Sequence, residues 1–173
     1  QGVARDRLLV VSDTLEGLRQ LGTAARARTA GRFIAVTGSV GKTGTKEALR
    51  LALASQGPTH ASVGSFNNHI GVPLTLARMP TDTAYGVFEI GMNHAGEIEP
   101  LVRMVRPHVA IVTTVEAVHT ENFANGIDGV AAAKAEIFTG LAGGTAVLNR
   151  DNPFFDFLAR RAREAGASRI IGF

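Results

Sequence analysis

The chain has 173 residues, 45% of them hydrophobic and 19% charged, with 20 glycines and no cysteine. That length suits one ordinary domain, and the apolar content is too high for a disordered chain. The missing thiols exclude disulfides, cysteine metal sites and cysteine nucleophiles, and the net charge of +3 comes from arginines scattered along the sequence.

The densest basic run, Arg160, Arg161 and Arg163, reads as the solvated face of a helix, so no nucleic-acid partner is expected. No apolar run approaches the roughly 20 residues that cross a bilayer, and the N-terminus lacks signal-peptide zoning. We therefore expect a cytoplasmic protein with no membrane insertion. The first residue is glutamine, and the opening stretch reads as the middle of something longer.

In chain order, Asp13 to Arg28 carries Leu15, Leu18 and Leu21 at helical spacing, with Ser12 or Asp13 as N-cap and Thr29-Ala30-Gly31 as stop. Phe33 to Thr37 predicts a strand that breaks into Gly38-Ser39-Val40-Gly41-Lys42-Thr43-Gly44-Thr45 and resumes as a helix through Leu53. Strand candidates follow at 85–90, 109–115, 145–148 and 169–171. Helix candidates fall between them at 97–105, 130–141 and 153–165. This alternation predicts an α/β fold, a mostly parallel sheet with helices on both faces. Ligands of such sheets gather at the carboxyl ends of the strands, where every motif below lies.

Gly38 to Thr43 is the strongest local signal. A glycine turn entering a helix aims backbone N–H groups and the positive helix end at one point, which suits a polyphosphate. Lys42 would add a cation, and the Thr43 hydroxyl is placed for Mg²⁺. The generic phosphate loop has a glycine five residues before Gly41, where this chain has Val36, so the loop is short.

Glu89 ends an apolar strand, where a carboxylate is costly unless paired or metal-bound; it reads either as a Mg²⁺ ligand or as a cap or solvated acid. His119 follows another apolar run, and no two of the five histidines have helical zinc spacing, so it stands as a ligand or a structural histidine. Asn67 to Pro73 is a turn from which the proline could open a helix. Lys134 is one of only three lysines beside 15 arginines, and its neighbours are small; from the residues alone a plain surface lysine is the preferred explanation. Asn149, Asp151 and Asn152 before Pro153 read as helix capping.

Taken together, Thr37 to Thr43, Asn67 to Thr75, Glu89 to Ile98, His119 and Ala133 to Ile137 resemble, in order, the central ATP-binding domain of the Mur peptide ligases. The short glycine loop is the form this family uses. The resemblance implies ATP bound by Gly38, Ser39, Val40, Gly41, Lys42, Thr43 and Gly44. It implies two Mg²⁺ ions, one held by Thr43 and Glu89, the other associated with His119 and with Lys134 as a carbamate. Lys42, His119 and Lys134 would be catalytic. Asn67 and Asn68 match polar positions near the γ-phosphate and the acceptor carboxylate. Gly44 and Thr114 depart from the family's usual serine or threonine and asparagine.

The implied reaction is ATP-dependent joining of D-alanyl-D-alanine to UDP-N-acetylmuramoyl-tripeptide through an acyl phosphate. Competing readings are a folylpolyglutamate or cyanophycin type of amide ligase, and a regulatory P-loop NTPase. The blocks at Asn67 and Glu89 favour the cell-wall type. On this reading residues 1–31 are the end of an N-terminal substrate domain plus linker, and residues 32–173 a truncated central domain. The missing N- and C-terminal domains of the same enzyme would be its partners, leaving the fragment with little turnover alone.

Overall fold

The computed structural model describes residues 8–118 and 120–173. Its elements, in chain order, are α1 (Thr14–Ala27), β1 (Arg32–Thr37), α2 (Lys42–Ala54), β2 (Thr59–Ala61), α3 (Gly71–Ala77), β3 (Tyr85–Glu89), α4 (Ile98–Val105), β4 (Val109–Val112), α5 (Gly126–Ala135), β5 (Thr145–Leu148), α6 (Phe155–Glu164) and β6 (Arg169–Gly172). Single 3₁₀ turns sit at Thr120–Asn122 and Glu136–Gly140.

The six strands form one sheet in the order β2-β3-β1-β4-β5-β6, and all five pairings are parallel. Only the step from β1 to β2 runs toward the β2 edge; every later step runs the other way. Right-handed crossovers then put α2 on one face and α3 to α6 on the other. The two cores follow this division. Val36, Val87 and Ile111 pack with Leu49 and Leu53 of α2. Phe33, Ala35, Phe88, Ala110 and Leu148 pack with Val72, Leu101, Val130 and Leu158 on the opposite face.

Strand alternation sorts the side chains at the strand ends in the same way. Glu89 shares its face with Val87, toward α2. Thr37 shares its face with Ala35, toward α4 and α5.

Several boundaries differ from the sequence reading. Strand β4 stops at Val112 rather than Val115: beyond it the Thr113 hydroxyl turns to the Val40 carbonyl of the glycine loop and the Thr114 hydroxyl to the Glu116 carboxylate. Helix α5 begins at Gly126 and tightens into a 3₁₀ turn from Glu136, and α6 begins at Phe155, two residues beyond Pro153. The edge strand β2 went unpredicted because Thr59-His60-Ala61 is too short and mixed to carry a period.

Helix α1 is capped as expected, the Asp13 carboxylate accepting from the Glu16 N–H at 2.7 Å. Its buried face is not the leucine stripe: Leu21 is 49% exposed, whereas Gly17, Gly22, Ala25 and Arg26 are buried. Arg26 donates to the carbonyls of Val105 (2.6 Å) and Arg106 (3.1 Å), capping the C-terminus of α4, and its guanidinium lies over the Phe33 ring at 3.8 Å.

Candidate active site

The chain leaves β1 and β4, neighbours in the sheet, in opposite directions, so their carboxyl ends flank a crevice of the kind that binds ligands in open α/β sheets. The glycine loop after β1 occupies it. Gly38 has no room for a side chain, since a Cβ there would sit 1.9 Å from Thr113 Oγ1. Gly41 is the N-cap of α2 at φ +83°, a conformation that favours glycine, and it brings no side-chain acceptor. The first-turn N–H groups of α2 therefore face the loop without a side-chain cap.

Lys42 Nζ donates to the carbonyls of Gly38 (2.7 Å) and Ser39 (3.3 Å), which holds the ammonium over the loop. Burial lowers its pKa, opposed in part by the Glu89 charge. Val40 is 57% exposed at the loop tip, and Gly44 lies on the exposed first turn of α2 with open space around it.

Glu89 is 1% exposed, and each carboxylate oxygen has one partner. Thr43 Oγ1 donates to Oε2 at 2.8 Å, and Asn67 Nδ2 donates to Oε1 at 2.8 Å. Asn67 is also tied through its carbonyl, which accepts from the Gly91 N–H at 2.9 Å. Three segments far apart in sequence thus meet at one carboxylate. Among the described residues, no three His, Cys, Asp or Glu side chains are grouped to hold a metal unaided. A hydroxyl beside a carboxylate instead fits Mg²⁺, which commonly takes one or two protein oxygens and completes its shell with phosphate and water.

The Asn68 side-chain oxygen accepts from the N–H groups of Ile70 (3.1 Å) and Gly71 (2.8 Å), so locally it caps the start of α3. Lys134, on α5, is 4% exposed. Burial, with Lys42 nearby, pushes its ammonium down to about 8. The plain surface reading of this lysine is thereby overturned. His119 lies outside the described residues.

A cleft of about 1110 Å³ brings Gly38, Ser39, Lys42, Asn67, Asn68 and Lys134 onto one surface. It extends to the Met92–Glu97 segment after β3 and to the polar stripe of α1 formed by Glu16, Arg19, Gln20 and Thr23.

Sequence reasoning missed the residues that hold the loop's shape. Thr113 Oγ1 donates to the Val40 carbonyl at 2.6 Å, and the Ser39 N–H donates to the Thr114 carbonyl at 3.0 Å. Asn152, expected only as a cap, does accept from the Phe154 N–H, and its Nδ2 also donates to Thr114 Oγ1 and the Val115 carbonyl, both at 3.0 Å. Only the two threonines directly after a strand hinted at this; the reach of Asn152 across 37 residues had no local signal.

The sheet, its crossovers and the glycine loop between β1 and α2 define the class: a parallel α/β protein with a phosphate-type loop at its switch point. Within that class the Mur ligase middle domain model matches residues 36–173, and the chain belongs to this family. It is 36% identical over 170 residues to the UDP-N-acetylmuramoyl-tripeptide--D-alanyl-D-alanine ligase of Rickettsia prowazekii, covering 98% of this chain and 38% of that protein. The Escherichia coli ligase of the same name is 43% identical over 145 residues, covering 83% and 32%. Among solved structures, MurF from Acinetobacter baumannii superposes with a TM-score of 0.87 at 38% identity, covering 95% of this chain and 36% of that one. The chain thus spans about a third of the length of these relatives.

Proposed function

We propose that this chain is the ATP-handling part of a cytoplasmic ligase that joins D-alanyl-D-alanine to UDP-N-acetylmuramoyl-tripeptide. Residues 1–31 lead in from a substrate domain, and further domains of the same enzyme complete the site. The observation that carries the reading is the meeting of Thr43, Asn67 and Glu89 beside Lys42, with Asn67 and Lys42 lining a cleft of about 1110 Å³. The names of the relatives supply the substrates.

The reaction joins three anions, which is its main electrostatic difficulty. A carboxylate oxygen of the tripeptide attacks the γ-phosphorus, the β–γ bridging P–O bond breaks, and ADP leaves with that electron pair. The amine of D-alanyl-D-alanine then attacks the acyl carbon, phosphate departs, and the nitrogen loses a proton. The loop N–H groups at the α2 terminus hold the phosphates, while Lys42 offsets charge on the transferring group. Thr43 and Glu89 would hold one Mg²⁺, which supplies charge neutralisation when bound. Asn67 fixes the Glu89 carboxylate for that task, and Asn68, which lines the cleft, serves as a polar position near the γ-phosphate and the acceptor carboxylate.

Lys134 fits a carbamate-forming lysine on chemical grounds. Only the neutral amine adds CO₂, and a pKa near 8 gives Lys134 far more of it at neutral pH than an ordinary lysine has. The carbamate would serve with His119 at a second Mg²⁺.

In the full-length enzyme, Lys42→Ala should weaken ATP binding about a hundredfold, near 3 kcal/mol, and stop amide formation. Calorimetric titration with ATP and an assay of phosphate release dependent on both peptide substrates would check this. Unchanged ATP affinity, or phosphate release that ignores the substrates, would remove the reading.

A further inference from the structure

Glu136 stands two residues beyond Lys134, at the start of the 3₁₀ turn that follows α5. Its carboxylate accepts three backbone N–H bonds from a distant segment: Gly96 at 2.6 Å, Ile98 at 3.1 Å and Glu99 at 3.2 Å. These donors belong to the turn before α4 and to its first residues. Helix α4 has no side-chain cap of its own. Glu97, in the cap position, instead accepts from the Asn93 N–H at 2.7 Å and pairs with the His94 ring at 3.1 Å. Glu136 therefore supplies, from another element, both the acceptor that the orphan N–H groups need and the negative charge that a helix N-terminus favours. Among the described residues it is in no ion pair, so its charge is answered by backbone N–H groups.

The captured segment is one wall of the cleft. Met92, Asn93, Gly96 and Glu97 line it, and Lys134 lines the same cavity from the chain that carries Glu136. None of the three bonds touches the glycine loop that would hold the nucleotide.

We propose that Glu136 is a positioning residue that locks the Met92–Glu97 wall to the Lys134 segment and so fixes the seat of the carboxylate-bearing substrate, leaving the nucleotide seat untouched. This rests on the ligase reading of the cleft. It predicts a split between substrates that a general loss of folding would not give.

The test uses the full-length enzyme with E136A and E136Q, measuring KM for the carboxylate substrate, ATP affinity, and hydrogen exchange at the amides of Gly96, Ile98 and Glu99. E136A should raise that KM about tenfold and speed exchange at the three amides by a similar factor, with ATP affinity held within about twofold. E136Q keeps one accepting oxygen, so it should retain the bonds from Ile98 and Glu99, lose the one from Gly96, and recover part of the KM together with protection at those two amides. The proposal is overturned by unchanged exchange in E136A, by parallel loss of ATP affinity and substrate KM, or by E136Q faring no better than E136A. Should the wild-type enzyme ligate nothing, the functional reading falls and this role with it; exchange at the three amides would then still report whether the clamp itself exists.

Discussion

Lys134 illustrates how much a single residue's chemistry depends on its surroundings. A lysine whose folded pKa is about 8 lies below its ordinary 10.5, so between those values the unfolded chain holds a proton that the folded chain lacks. Stability therefore rises with pH across that window, and below about 8 the full cost of burying the ammonium is present. In CO₂-free buffer Lys134→Met should raise the melting temperature at pH 7, and the gain should shrink as the pH approaches 10. Thermal melts at both pH values decide it; a lower melting temperature for the variant at pH 7 would mean that the ammonium is paired. At the same scale the buried Thr37 hydroxyl, next to Gly38, has no hydrogen-bond partner among the described residues. The sequence made Lys42, Thr43 and Glu89 legible because each sits at a strand end or helix start with a chemical reason to be there. It could not show that Asn67 would bind the far oxygen of Glu89.

At the scale of elements, one histidine reinforces the start of the ladder between β1 and β4. His108 donates its backbone N–H to the Phe33 carbonyl at 2.8 Å, while its Nδ1 accepts from the Phe33 N–H at 3.0 Å. Its own carbonyl accepts from Thr145 at 2.9 Å, so the residue links three strands just before β4 begins. An accepting Nδ1 requires the neutral ring. Burial, with Arg26 and Arg32 nearby, holds its pKa below the ordinary 6.5. The unfolded chain then takes up the proton first as pH falls, so this residue's contribution is present above about 6.5 and declines below it. Melts between pH 7 and 5 should show a loss of stability that His108→Asn, which keeps an acceptor without the titration, reduces; identical slopes would exclude His108 as the source. The same scale explains which boundaries were legible. The ends of α1, β1 and β5 follow caps and apolar runs, but beyond Val112 the chain is held by partners remote in sequence: Thr113 donates to the Val40 carbonyl, and Thr114 accepts from the Ser39 N–H and Asn152 Nδ2.

For the whole molecule, the question is what belongs to the packed body. Helix α1 precedes the matched family segment, yet it packs on α3 and α4, and its polar stripe walls the cleft. Arg26 is the anchor, 8% exposed, closing the last carbonyls of α4 and stacking on Phe33. Arg26→Ala should cost about 2–3 kcal/mol, since it removes charge-assisted bonds and leaves the α4 carbonyls without their cap. Denaturant unfolding measures this directly. A loss within about 0.5 kcal/mol would mean that α1 is only loosely held to the sheet and its helices.

The sequence by itself determined the alternation of strands and helices, the glycine loop, the acid at the end of β3 and the order of the family blocks. These are local properties, written in periodicity, glycine placement and the cost of charge in an apolar run. Tertiary structure alone decided that Glu89 is shared by Thr43 and Asn67, that Asn152 and Thr113 brace the loop, that Glu136 caps a helix it is not part of, and that Lys134 is buried. Each of these is a contact or a burial set by the strand order and crossovers, and nothing in the neighbouring residues encodes it.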